Sequence, residues 1–269
     1  MYSNFYRILS FFVIYFYFIS IGHSQTLENY LQQAINENKE NENRVTIGRG
    51  LSINDDKDSY IQRGNEYSKQ GNLKLAIYAY TKAIEINPQD ALAYNNRGLA
   101  YYKLQDFISA LADYNKAIAI DPKFALGFNN RGYVYNKEKK LKEAMDDFNY
   151  AIQLDPKLDA AYNGRSAVYY KLGNFARSIA DDSKAIEFNP KNTNAYNNRA
   201  LNYLKIGNVV QALSDSYKSL EIDPRNGESY VARATVYLAM KDFDKCWKDI
   251  QKAQDLGIHL TPKQLEEIR

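Results

Sequence analysis

A tyrosine at position 60 is followed, at strict 34-residue steps, by Tyr94, Phe128, Tyr162, Tyr196 and Tyr230. The same step carries Arg63 to Arg97, Arg131, Arg165, Arg199 and Arg233, and Pro88 to Pro122, Pro156, Pro190 and Pro224. Tyr67, Tyr101, Tyr135, Tyr169, Tyr203 and Tyr237 form another in-phase series, and no insertion breaks the register. Self-similarity at this period means stacked modules, each burying its apolar face against the next, rather than one globular core.

Each 34-residue unit contains two helical patterns. In the second unit Tyr94, Gly98 and Tyr101 lie at i, i+4 and i+7; beyond Gln105-Asp106, helical spacing resumes with Phe107, Ala110, Leu111, Tyr114, Ala117 and Ile118. Asn72, Asp106, Asn174, Asn208 and Asp242 stand at the break, where they can cap the second helix; Lys140 is the exception. Asn-Pro or Asp-Pro pairs from Asn87-Pro88 to Asp223-Pro224 close the units. Small residues (Gly64, Gly98 and Gly132 on first helices; Ala83, Ala117, Ala151 and Ala185 on second helices) predict close helix crossings.

The series Tyr60-x3-Gly64-x2-Tyr67, Ala76, Tyr80, Ala83 and Pro88 resembles the tetratricopeptide repeat position for position. The resemblance covers six units: 57–90, 91–124, 125–158, 159–192, 193–226 and 227–260. Departures fall on the second helix, where the aromatic of units one to three becomes Asp182, Ser216 and Ile250. The resemblance implies an all-α, right-handed superhelical solenoid whose first helices line a concave groove.

On that assignment the groove is built from places two, five, nine, twelve and thirteen of each unit. Place five reads Asn95, Asn129, Asn163 and Asn197 in four consecutive units, a row of amides that can pair with the backbone of an extended peptide. Asn96, Asn130 and Asn198 come next in sequence and can share the role. Around them fall Leu99, Tyr102, Tyr133, Tyr170 and Leu201, together with Leu92, Leu126 and Leu204. A cationic edge follows in Lys69, Lys103, Lys137, Lys171 and Lys205, which reads either as a solvated face or as a preference for acidic ligands. Some relatives hold chaperone C-terminal carboxylates with a clamp of basic residues and asparagines. Asn65 and Asn96 match its asparagines, but Ile61, Leu126 and Asn130 stand where basic residues belong, so the clamp is incomplete.

The arginines have counterparts on the second helices: Asp113, Asp147, Asp181, Asp215 and Asp249 recur at the same step. Arg97 with Asp113 and Arg131 with Asp147 are expected as ion pairs within one repeat.

Residues 1–24 read separately. One arginine, Arg7, precedes the apolar block 8–21 and the small, polar Gly22-His23-Ser24-Gln25, the pattern of a secretory signal peptide. As a helix the block would be about 21 Å long, short of a hydrocarbon core roughly 30 Å thick. Export with cleavage near Ser24 is expected, giving a secreted or periplasmic chain with no stable membrane span; an uncleaved segment would anchor it. Residues 25–56 form a polar linker with a short amphipathic helix at Leu27, Tyr30, Leu31, Ala34 and Ile35. Residues 261–269, opening on Thr261-Pro262, are expected to cap the stack around Trp247.

Composition constrains function mainly by exclusion. A formal charge of +3, from 35 basic and 32 acidic residues, argues against nucleic acid as partner. Cys246 is alone, so no intramolecular disulfide forms, and it falls where other units carry alanine or serine. His259 is the only histidine after the leader, and neither a nucleophile motif, a phosphate loop nor zinc spacing is present, so no enzyme, metal or cofactor is expected. The reading is an exported adaptor that binds a protein or extended peptide in its groove. The alternatives are an assembly subunit binding through its convex face or ends, or an accessory subunit of an enzyme complex. Partner identity and oligomeric state are not encoded in any of these features.

Overall fold

The computed structural model describes residues 56–259; the expected leader, amphipathic segment and C-terminal cap lie outside them. The described residues form twelve α-helices and no strand. In chain order they are α1 (Lys57–Lys69), α2 (Leu73–Ile86), α3 (Ala91–Lys103), α4 (Phe107–Ile120), α5 (Ala125–Lys137) and α6 (Leu141–Leu154). There follow α7 (Asp159–Lys171), α8 (Phe175–Phe188), α9 (Thr193–Lys205), α10 (Val209–Ile222), α11 (Gly227–Ala239) and α12 (Phe243–Asp255). The chain divides into two compact units at the Ala110–Leu111 bond, inside α4.

Local chemistry sets the helix ends. Asp106, Asn174, Asn208 and Asp242 each accept the backbone N–H three residues on, capping α4, α8, α10 and α12. Asn72 makes no such bond, contrary to its expected role, and Lys140 makes none either. First helices carry caps too: Asp56, Asp90, Asn192 and Asn226 accept from Ser59, Ala93, Ala195 and Ser229. Between paired helices the chain passes through the left-handed region, at Gly71, Gly173 and Gly207 but also at Gln105, Lys139 and Lys241. The next residue's N–H then reaches back to a tyrosine carbonyl, as from Asn72 to Tyr67 and from Lys140 to Tyr135. At the unit ends Asn87, Asp121, Asp155, Asn189 and Asp223 each accept from the N–H just past the proline, which turns the chain toward the next pair.

Within the first unit α1 packs on α2, and α2 on α3. Within the second, α5 packs on α6, α7 on α8, α9 on α10 and α11 on α12, and each second helix also packs on the first helix of the next pair. The glycines on first helices do more than let helices approach. Gly64 faces the Tyr80 ring, and an added Cβ at Gly132 would lie 3.0 Å from the ring of Phe148, so the missing side chain makes room for an aromatic. Tyr80 and Phe148 are accordingly buried. Where the aromatic is lost, the glycine is lost as well: Ser166 accompanies Asp182, Ala200 accompanies Ser216, and Ala234 accompanies Ile250, all buried. The first helix thus gains a side chain wherever the second helix gives up its ring, although Ala200 with Ser216 fills less space than Gly132 with Phe148. Cys246, at the position where other units carry alanine or serine, is fully buried against Ala234, Tyr237 and Ile250, and burial pushes its thiol above the usual range.

Arg131, Arg165, Arg199 and Arg233 each reach two second helices. Arg131 donates through Nε and Nη2 to Asp147, 16 residues on, at 2.8 and 2.7 Å, and through Nη1 to Asn115, 16 residues back, at 2.7 Å. Arg165 repeats this with Asp181 and Asn149, and Arg199 with Asp215 and Ser183. Arg233 pairs with Asp249 and lies 5.0 Å from the Tyr217 ring centre instead of making the third bond. Each carboxylate holds its guanidinium above its usual range. Spacing alone predicted the bond within each repeat; the bond to the preceding second helix makes the same residue a staple between repeats. Arg97 and Asp113 lie on opposite sides of the division: Arg97 donates to Thr81 in the first unit, and Asp113 is buried in the second.

Candidate functional site

Within each unit, successive first helices touch, so that groups on this side can converge. In the second unit α5 contacts α7, α7 contacts α9 and α9 contacts α11, whereas α6, α8, α10 and α12 do not contact one another. In the first unit α1 likewise touches α3.

The row of asparagines is not displayed on this side as expected. Asn95, Asn129, Asn163 and Asn197 are 3%, 3%, 7% and 6% exposed, because place five of the helix turns toward the neighbouring elements. Their amides are engaged there: Asn95 donates to Asn96, Asn129 to Asn130, Asn163 to Asp182 and Asn197 to Ser229. Oδ1 of Asn129, of Asn197 and of the buried Asn202 has no hydrogen-bond partner among the described residues. The accessible amides lie one residue on, at Asn96, Asn130 and Asn198, which are half-buried.

A recess of about 240 Å³ opens in the first unit, lined by Asn65, Ser68, Lys69, Tyr80, Asn96 and Leu99. Tyr80 Oη donates to Asn65 Oδ1 at 2.8 Å, and Asn96 Nδ2 approaches the same oxygen at 3.4 Å. The Tyr80 hydroxyl, pushed up to about 12 by burial, stays a donor at neutral pH. Asn65 Nδ2 and the Lys69 ammonium are donors in the lining, and Leu99 supplies an apolar side chain to it.

The remaining predicted residues divide into braced and exposed groups. Tyr102 rests on Phe107 and Tyr170 on Phe175, with ring centres 5.8 and 5.6 Å apart. Tyr133 donates to the Ala160 carbonyl of the next first helix at 2.9 Å. All three, with Leu201, are half-buried, while Leu92 and Leu126 are exposed. The lysine edge is not uniformly solvated. Lys171 Nζ donates to the Asn136 carbonyl and side chain at 2.7 and 2.6 Å, and its pKa is lowered by burial and by Lys137 and Lys139. Lys103 reaches Ser68 at 3.5 Å; Lys137 and Lys205 are exposed. The sequence reading did not name Tyr80 as a site residue, because it lies on α2 and only the packing of α2 against α1 brings it to the recess; Ser68 falls at place twelve, inside the expected set.

Among the described residues no group of three or more histidine, cysteine, aspartate or glutamate side chains could hold a metal ion, and no helix is long and apolar enough to cross a membrane.

Comparison with known proteins agrees with this architecture. A family model described as TPR repeat matches residues 64–105, and one described as tetratricopeptide repeat matches 91–124 and 125–158. No curated protein matches the chain closely enough to count as a relative. Among solved structures, a tetratricopeptide repeat protein from Parabacteroides merdae is 22% identical with a TM-score of 0.64, over 94% of this chain and 93% of its own. TTC0263, a thermophilic TPR protein of Thermus thermophilus, is 21% identical with a TM-score of 0.61, over 68% of this chain and 99% of its own. PilF of Pseudomonas aeruginosa is 23% identical with a TM-score of 0.62, over 78% and 94%. These likenesses show the fold, an α-solenoid of consecutive helix pairs. The chain thus contains tetratricopeptide repeats, matched by family models over residues 64–158, and the same helix pairing continues to Asp255.

Proposed function

We propose that the chain is an exported adaptor whose first-helix wall holds an extended segment of a partner protein. The observation that carries this is the recess at Asn65, Lys69, Asn96 and Leu99, where an apolar side chain lies among amide and ammonium donors. A segment lying there can place an apolar side chain on Leu99 and a backbone or side-chain carbonyl against Asn65 and Lys69. Tyr102, in the same unit, offers further contact area at low entropic cost, because its ring is already braced against Phe107.

Cross-linking and pull-down from the exported fraction, comparing the wild-type chain with Leu99→Glu and Asn96→Asp, tests it. Loss of captured protein at unchanged helicity supports the wall. Unchanged capture moves the site to the second reading, a surface on the second helices, where Ile108 and Val210 stand 83% and 76% exposed. Export itself is tested by mass spectrometry of the mature chain: a first residue close to Gln25 supports it, and a retained Met1 refutes cleavage.

A further inference from the structure

The fourth repeat holds a carboxyl group in a place built for a ring. At the equivalent positions of the first and third repeats Tyr80 and Phe148 fill the space left by Gly64 and Gly132. Asp182 instead is 0% exposed and faces Ser166, with Asn163 Nδ2 at 3.5 Å from Oδ1 and Asn202 Nδ2 at 3.0 Å from Oδ2. Asn163 belongs to α7 and Asn202 to α9, so this carboxyl on α8 touches the first helices on both sides.

The charged groups around it are already paired. On α8 itself, Asp181 takes the fork of Arg165 from α7; from α9, Arg199 is bound to Asp215 of α10. Asp182 therefore has neutral partners only, a costly environment for an anion. The hydroxyls take a different arrangement in each state. Ser178 Oγ lies 2.8 Å from both the carbonyl and the Oγ of Ser166, and either hydroxyl can donate in the second contact. With Ser178 donating to the carbonyl and Ser166 to Ser178, Ser166 Oγ accepts from a neutral Asp182; with Ser178 turned to Ser166 Oγ, Ser166 donates to the carboxylate and the carbonyl loses its partner. Ionisation therefore costs the bond that ties Ser178 of α8 to the backbone of α7.

We propose that Asp182 is a proton-operated latch joining the fourth and fifth helix pairs: neutral, it closes the α7–α8–α9 contact, and ionised, it loosens it. Burial holds its carboxyl well above the ordinary 3.8, against the opposing hydrogen bonds of Ser166 and Asn202; Asp181 adds to the effect and Arg199 opposes it. The sign follows from linkage. Between the ordinary value, which applies to the unfolded chain, and the raised one, the folded chain binds one more proton. Stability therefore falls as pH rises through that window and is flat above it. Because α7 and α9 carry Tyr170 and Leu201, a loosened joint would also alter the wall; that consequence rests on the proposed binding surface, whereas the titration does not.

The test uses the full chain and Asp182→Asn, whose amide can donate to Ser166 and accept from Asn202 as the neutral acid does. Carboxyl carbon NMR of the wild type is expected to show one aspartate still protonated after the others have ionised. In urea unfolding, the wild-type folding constant should fall relative to the variant by up to about tenfold per pH unit within the window. Amide exchange, corrected for its intrinsic pH dependence, should rise selectively in α8 and α9 of the wild type only. Parallel pH profiles for the two chains, or complete ionisation of every aspartate in the ordinary range, would overturn the latch. A rise in exchange spread evenly over all helices would do the same, and if the variant fails to fold, the NMR titration of the wild type decides alone.

Discussion

Removing one arginine staple should weaken two interfaces at once, and Arg165→Met is the cleanest perturbation because it keeps the aliphatic stem. The wild-type guanidinium makes two bonds of 2.8 Å to Asp181 and one of 2.8 Å to Asn149 on the preceding second helix. Its side chain is 20% exposed and that of Asp181 only 9%, so the substitution strands a nearly buried carboxylate. Breaking a fully buried pair costs about 3–5 kcal/mol; with the arginine partly open to water, we expect about 3 kcal/mol. Replacing both members, as Arg165→Met with Asp181→Leu, removes the stranded charge and should recover about 2 kcal/mol of that loss. Urea unfolding followed by far-UV circular dichroism measures the cycle, analysed with nearest-neighbour coupling because repeat arrays depart from two-state behaviour. Amide exchange should then rise in α6, α7 and α8 and stay unchanged in α1. A loss below about 0.5 kcal/mol for Arg165→Met, the range of an ordinary surface substitution, would refute the view that these residues hold the repeats together.

Three further outcomes are expected. Gln105→Gly and Lys139→Gly, which relieve residues with φ of 63° and 61°, should each raise stability by about 1 kcal/mol in urea titrations. Gly132→Ala, with its new Cβ 3.0–3.1 Å from three Phe148 ring atoms, should cost about 1–3 kcal/mol, and Phe148→Leu in the same chain should recover part of it. Deleting residues 261–269 should lower the melting temperature and shift the fluorescence of Trp247, the sole tryptophan and 41% exposed beside the 56% exposed Phe243, to longer wavelength; no change in either would refute the capping role.

How far the chain could be read without coordinates depends on the range of the interaction. Repeats, helix breaks and most caps were legible because they rest on neighbours in sequence: Asp106 and Asn174 meet amides three residues away. The arginine–aspartate pairs were legible as well, since a 34-residue period projects one fixed offset onto every unit. The direction of a side chain on its helix was not. Asn129 and Asn130 are adjacent and chemically identical, yet one is buried and the other half-exposed; helix packing, not residue type, separates them.

By itself, then, the amino-acid order determined an array of helical hairpins, because a period of 34 residues with small, aromatic and proline positions in phase can bury its apolar groups in no other common way. Tertiary structure alone decided which amides stay accessible, that the glycines serve inserted rings, that Arg97, Arg131, Arg165 and Arg199 also grip the previous repeat, and that Asp182 sits among neutral partners. Each of these depends on how closely separate helices approach and which faces they turn to one another, a property of packing in three dimensions that no local pattern records.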